Sequence, residues 1–189
     1  MPSRRPRFPT LSGYQKAATI SACGLYRFVL FRRWDTRPML LVVMNNPSTA
    51  DDQKDDPTVT LLMHIASHNG YGGIVVVNLC PLRSPTMAHA AAFLAAVNGR
   101  EPMADRVEAM RKNLEMIEEE LDRADAVLIA WGAQGWRAEN WYSRVEALIS
   151  EAGKPIYRIG VCANGHPKHP LARGKHKVPK TARLQPVAA

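Results

Sequence analysis

The sequence lacks the features that would place it in several familiar classes. No run approaches the ~18 apolar residues that cross a bilayer, so a membrane-spanning protein is not expected. Arg4, Arg5 and Arg7 stand near the start with no apolar segment behind them, which argues against a secretory signal. Cysteine is scarce. Cys23, Cys80 and Cys162 are odd in number and far apart, too few for a disulfide framework, and read as reduced thiols of a cytoplasmic protein. Acids are nearly missing from both ends. Residues 1–37 hold only Asp35 against eight Lys and Arg, and residues 154–189 hold none against another eight. Sixteen of the seventeen acids therefore lie between Asp51 and Glu151. The net charge of +8 sits in two basic ends around a near-neutral middle. Such a distribution suits a polyanionic partner, nucleic acid being the commonest, and equally suits basic tails that are merely solvated.

What is present points to one α/β domain, and 189 residues suffice for a single sizeable core. The chain is organised around residues 39–58, MLLVVMNNPSTADDQKDDPT. Leu40 to Met44 read as a strand buried on both faces. Asn45, Asn46, Pro47 and Ser48 end it, because proline has no amide donor and Asn and Ser bond a turning backbone. Asp56-Pro57 reads as an N-cap and first helical residue. Strand, polar turn and helix predict a sheet whose ligands bind beyond the carboxyl ends of its strands.

The remaining elements follow from period and punctuation. Residues 1–22 are expected to be irregular. Residues 24–34 read as an edge strand with Arg27, Arg32 and Arg33 in solvent. A helix over 57–69 places Val59, Leu62, Met63 and Ala66 on one stripe, and residues 74–79 form a second buried strand ending near Asn78. Residues 87–97 read as an alanine-rich helix. Met103, Val107, Met110, Leu114, Ile117 and Leu121 repeat with alternating four- and three-residue spacing, a long amphipathic helix expected to pack on the sheet, with dimerisation as its other use. Strands over 126–131 and 155–161 flank a helix over 136–150. The crossovers are long, so the pairing is parallel. The expected fold is a three-layer α/β/α sandwich: a central, mostly parallel four-stranded sheet plus an antiparallel edge strand. One domain spans 23–171, with a basic flexible tail over 172–189.

Four strand tips then converge on one rim: Asn45-Asn46-Pro47-Ser48, Asn78, Trp131-Gly132, and the segment Asn164 to Pro170. A side-chain amide such as that of Asn78 can donate and accept at once, as reading a base edge requires. Arg83 follows Asn78 and is the cation expected in the cleft. Lys168, Arg173, Lys175, Lys177 and Lys180 suit a phosphate-contacting set, with His166 beside them as a nucleic-acid-binding candidate, and the same composition suits a disordered tail. Trp136, Trp141 and Tyr142 are either base-stacking or core aromatics. Three metal readings are weighed, and each has a plainer one beside it. His64 and His68 lie one turn apart without a third ligand, Cys162, His166, His169 and His176 match no established zinc spacing, and Asp51, Asp52, Asp55 and Asp56 read as a solvated loop.

The segments YRFVLFR, NNPSTADDQKDDPT, GYGGIVVVNL, AWGAQG and GHPKHPL resemble domain-of-unknown-function family 1643 over about residues 24–180. More distantly, the order of signals resembles the uracil-DNA glycosylase superfamily. That resemblance implies a glycosylase-like fold in which Asn46-Pro47-Ser48 is the first catalytic loop, Asn78 the base reader, and Trp131-Gly132 the third strand end. His169-Pro170-Leu171 would be the late motif, although the Ser that usually follows its Pro is absent. Asn46 and Asp51 would then position water against the sugar, His169 would stabilise the departing base, and Leu171 would wedge into the base stack. The expectation is a base-excising N-glycosidic hydrolase acting on nucleic acid, DNA rather than RNA, without metal or organic cofactor. A non-catalytic nucleotide-binding module and a metal-dependent phosphoesterase using Asp51–Asp56 are the alternatives.

Overall fold

The computed structural model describes residues 14–84, 86–99, 103–133 and 139–187. Among them lie strands β1 (Gln15–Ile20), β2 (Arg27–Arg33), β3 (Met39–Met44), β4 (Gly73–Asn78), β5 (Ala126–Ile129), β6 (Ile156–Arg158) and β7 (Gln185–Pro186). The helices are α1 (Pro57–His68), α2 (Met87–Val97), α3 (Ala104–Arg123) and α4 (Glu139–Glu151). One seven-stranded mixed sheet has the order β1-β2-β4-β3-β5-β6-β7. Its core of β4, β3, β5 and β6 is parallel. No described helix is long and apolar enough to cross a membrane.

β3 loses its alternation because both faces are covered. Leu40, Val42 and Met44 pack with Val59, Leu62, Ile65 and Ala66 of α1. Leu41 and Val43 pack on the other side with Leu114, Ile117 and Leu121 of α3 and Val145 and Ile149 of α4. The repeating apolar stripe of α3 is thus used within the chain: Met110, Leu114, Ile117 and Leu121 are all buried. α1 starts where expected. Asp56 Oδ1 accepts from the Val59 amide at 2.9 Å, with Pro57 in the first turn.

Several expectations are corrected. The sheet has three antiparallel pairings rather than one, β1 with β2, β2 with β4 and β7 with β6. β1 falls in the stretch expected to be irregular and pairs antiparallel with β2. It has an exposed face and little apolar signal, and exists because β2 offers it an edge. β2 is accordingly interior, between β1 and β4. The tail expected to be flexible is anchored: Val178 is buried, β7 pairs with β6, and Asn69 donates to Ala182 O and accepts from the Leu184 amide. Trp136, and with it the expected start of the fourth helix, lies outside the described residues, as do Arg4, Arg5 and Arg7.

Arg27 and Arg32 are also corrected, since neither reaches solvent: they are 3 % and 0 % exposed. Arg32 is covered by the acidic loop, which folds over it. Its Nε donates to Asp55 Oδ1 at 2.6 Å, and its Nη atoms donate to the carbonyls of Phe31 and Asp51. Arg27 is turned by a β-bulge. Thr19 pairs with Val29 but Ile20 pairs with Arg27, leaving Phe28 as an extra residue. Phe28 and its neighbour Val29 both join the α3 side, and Arg27 is carried to the α1 side. Bulges re-aim side chains in this way.

Candidate functional site

The carboxyl ends of the parallel strands open into a cleft of about 440 Å³ on the α1 side of the sheet. Its walls are built by segments far apart in sequence. β3 and its turn supply Met44, Asn45, Asn46 and Ser48, and β4 supplies Val76 and Asn78. The segment after β5 supplies Trp131, and the late loop supplies His169, Leu171 and Arg173. Arg27, Asp56, Thr58 and Ser84 line it too, with Val59 and Leu62 of α1, and the sequence placed none of the first four in the cleft. The helix-cap signal at Asp56 was legible, but a capping role concealed its second exposure to the cleft.

The two loops that carry the asparagines are stitched together. Asn46 Nδ2 donates to Ser84 O at 2.7 Å, and the Ser84 amide donates to Pro47 O at 2.8 Å. Pro47 is buried behind this turn and does not line the cleft. The backbone end of β4 is held from below, where Asn113 Nδ2 donates to Asn78 O at 2.8 Å.

Asn78 is 1 % exposed, and its amide orientation is set by Arg27. Arg27 Nη2 donates to Asn78 Oδ1 at 3.2 Å and Nη1 donates to Ala50 O at 2.9 Å. With one lone pair of Oδ1 turned to Arg27, Asn78 offers the cleft chiefly its Nδ2 hydrogens. Burial lowers the Arg27 guanidinium to about 10, with the Asp56 carboxylate opposing that shift, so it stays charged at neutral pH.

His169 is similarly constrained. The Leu171 amide donates to its Nδ1 at 3.1 Å. In the neutral ring the proton is then on Nε2, which makes that atom a donor. Burial depresses the pKa of His169 below the ordinary 6.5, against an opposing pull from Asp56. Gly132, with φ +84°, passes so close that an added Cβ would lie 3.0 Å from His169 Cβ. Gly132→Ala is therefore expected to displace His169 and to cost about 1–2 kcal/mol for the left-handed backbone; comparing the thermal midpoint with ligand binding checks both effects.

The other expected site residues lie elsewhere. Asp51 closes its own turn, its Oδ1 accepting from the amides of Gln53 and Lys54 at 3.0 and 2.8 Å. Asp55 binds Arg32 and Lys16. Arg83 reaches Gly24 O at 3.2 Å instead of the cleft. His166 and Lys168 belong to a turn closed by the Cys162 amide on His166 O and the Lys168 amide on Gly160 O. Lys175 is exposed in a short 3-10 turn, Gly174–His176. Trp141 and Tyr142 pack on the α3 side, Tyr142 edge-on to Trp131 at 5.3 Å. Among the described residues, no three His, Cys, Asp or Glu side chains group closely enough to hold a metal ion. Buried Cys80 is pushed up to about 12 and stays a thiol at neutral pH.

Leu171 is 42 % exposed and stands at the cleft mouth. It and Asp56 also border a second groove of about 720 Å³, between the start of α1 and residues Lys177 to Lys180. Beside this geometry, no curated protein and no solved structure matches the chain. A family model described as "Protein of unknown function (DUF1643)" matches residues 27–171, from Arg27 of the cleft to Leu171 at its mouth. The match covers well over half of the sequence, and the chain belongs to that family.

Proposed function

We propose that this protein is a nucleic-acid-directed N-glycosidic hydrolase that takes a base, flipped from its stack, into the strand-end cleft. The observation that carries the reading is the meeting of Asn46, Asn78 and His169, from three distant segments, around one concave site. A volume of about 440 Å³ is in the range that small-molecule sites occupy. Helices on both faces of a parallel core support the three-layer plan of the uracil-DNA glycosylase superfamily.

The reaction adds water across the bond from sugar carbon to base nitrogen: the sugar gains a hydroxyl and the base leaves with a proton. Positive charge grows on the sugar and negative charge on the base, so each needs a preorganised partner. Neutral His169, with its proton on Nε2, donates to the departing base, and Asn78 Nδ2 does the same deeper in the cleft. Asn46 Oδ1 accepts from Asn45 Nδ2 at 3.5 Å and has a second lone pair for water, while its Nδ2 is tied to Ser84 O. Asp51, expected beside the sugar, closes its own turn and does not line the cleft, which leaves the water to Asn46. Leu171 fills the gap in the stack. Arg173 at the mouth, with Lys168, Lys175, His166 and Arg83 on the surrounding surface, contacts phosphates of DNA.

Base release from single- and double-stranded oligonucleotides carrying normal, deaminated and modified bases tests this. Release of one base, lost in Asn46→Ala, is the expected result. The second reading is a module that holds a base without cleaving it, favoured by the tethering of Asn46 Nδ2 to the backbone. Salt-sensitive binding with no release from any oligonucleotide would select it.

A further inference from the structure

The floor of the cleft carries buried donors that have no acceptor. Arg27 and Trp131 are each 3 % exposed. Neither Arg27 Nε nor Trp131 Nε1 has a hydrogen-bond partner among the described residues. Asn78 adds Nδ2, because its Oδ1 is already bound by Arg27. A buried donor left unpaired costs about 1–3 kcal/mol, so several in one cleft point to a ligand that brings acceptors. Asp56 is the opposite pole. It is 7 % exposed, and only its Oδ1 is engaged by the Val59 amide. Met44, Val76 and Leu62 lie along the same cleft and suit the faces of a flat ring.

Guanine has this pattern. Its N7 and O6 are adjacent acceptors, and its N1–H and N2–H₂ are adjacent donors on the neighbouring edge. Uracil alternates acceptor, donor, acceptor, and needs an accepting atom among the donors; Asn78 Oδ1, the atom suited to that, already accepts from the guanidinium of Arg27, which leaves it one lone pair and weakens it as an acceptor. Adenine sets an amine beside its N7 and would turn that amine toward donors. We propose that the cleft selects a guanine-type base, its N7/O6 edge on Arg27 and Asn78 and its N1/N2 edge on Asp56. The proposal rests on the cleft being a base site, as above, but not on cleavage.

Calorimetric titration of the full chain with guanosine, 7-deazaguanosine, inosine, adenosine and uridine tests it. Guanosine is expected to bind tightest, by about tenfold over 7-deazaguanosine, which lacks the N7 acceptor, and over inosine, which lacks the N2 amine. Asp56→Asn keeps a good N-cap and should erase the preference over inosine while leaving that over 7-deazaguanosine. A merely structural role for Asp56 would move neither ratio. Uridine or adenosine binding as tightly as guanosine overturns the proposal, as does failure of all five nucleosides to bind. An Asp56→Asn variant that keeps its full preference over inosine does so too. Release of a base other than guanine would overturn it and leave the hydrolase standing, whereas guanosine selectivity without release would do the reverse.

Discussion

Arg32→Met is expected to destabilise the fold by about 3 kcal/mol, the low end for breaking a buried charged pair, and to lower the thermal midpoint by about 10 °C. The guanidinium is fully buried, and its Nε and Nη2 tie the loop after β3 to the sheet while Nη1 bonds within the sheet. Nε holds Asp55, Nη2 holds Asp51 O and Nη1 holds Phe31 O and Ala17 O. Methionine fills a similar volume but leaves these acceptors without donors. Asp55 keeps Lys16 at 3.2 Å and Tyr14 Oη at 3.2 Å, which is why the loss is not larger. The pH dependence gives a second reading. Burial opposes ionisation of Asp55, but the hydrogen bond and charge of Arg32 outweigh it and hold its pKa below the ordinary 3.8. A carboxylate depressed on folding stabilises above its unfolded pKa, and that stabilisation is lost as pH falls through the folded value. Wild type should therefore lose stability below about pH 4, and Arg32→Met should lose less over that range. Calorimetry at several pH values checks both, and a variant that melts with the wild type would show that the loop is held without Arg32.

His169→Ala is expected to reduce base release by about 10²–10³-fold, the usual cost of removing one preorganised donor to a developing negative charge, with oligonucleotide affinity retained. Equal loss of binding and release would instead make His169 a docking residue. The acid side of the rate profile separates these roles further. An ordinary histidine is half protonated at 6.5, whereas burial lowers that point for His169. Protonation at Nδ1 breaks the bond from the Leu171 amide that orients the ring, so release should stay level through pH 6.5 and fall only at lower pH, and His169→Gln, which keeps a donor but does not titrate in this range, should remove the acid limb. The same depression has a stability consequence: the unfolded chain takes up the proton first, so stability is lost as pH falls below 6.5 toward the folded value.

Much of this arrangement could be read from local chemistry. The run Leu40–Met44 is short, apolar and bounded by Asn, Pro and Ser, and it is the central strand. Asp56-Pro57 marks the first turn of α1 at atomic detail, and parallel pairing brings the tips at Asn46, Asn78 and Trp131 to one rim. Three things were hidden, each for a physical reason. β1 has no hydrophobic run of its own, so its pairing depends on a neighbour rather than on its residues. Arg32 reads as solvent-facing because charged side chains almost always are; here a loop of carbonyls and one carboxylate is folded over it. Asp51 reads as chemically available beside a cleft, yet short acidic side chains readily bond backbone amides two or three residues on, and it is used that way.

The bulge at Phe28 has a consequence for how such a site can arise or vanish. A strand with perfect alternation would place Arg27 on the same face as Val29 and Phe31, among the apolar residues of α3. One extra residue inverts the phase of everything before it and leaves everything after it unchanged. The position of the guanidinium over Asn78 is thus a property of residue count in β2, not of any contact in the cleft. Lengthening or shortening that strand by one residue would exchange the faces of Arg27 and Phe28, with the pairing of Val29 to Arg33 and the α1-side layer unchanged and Phe28 lost from the α3-side layer. In this fold, the polarity of the binding surface and the integrity of the scaffold are set by separate parts of a single strand.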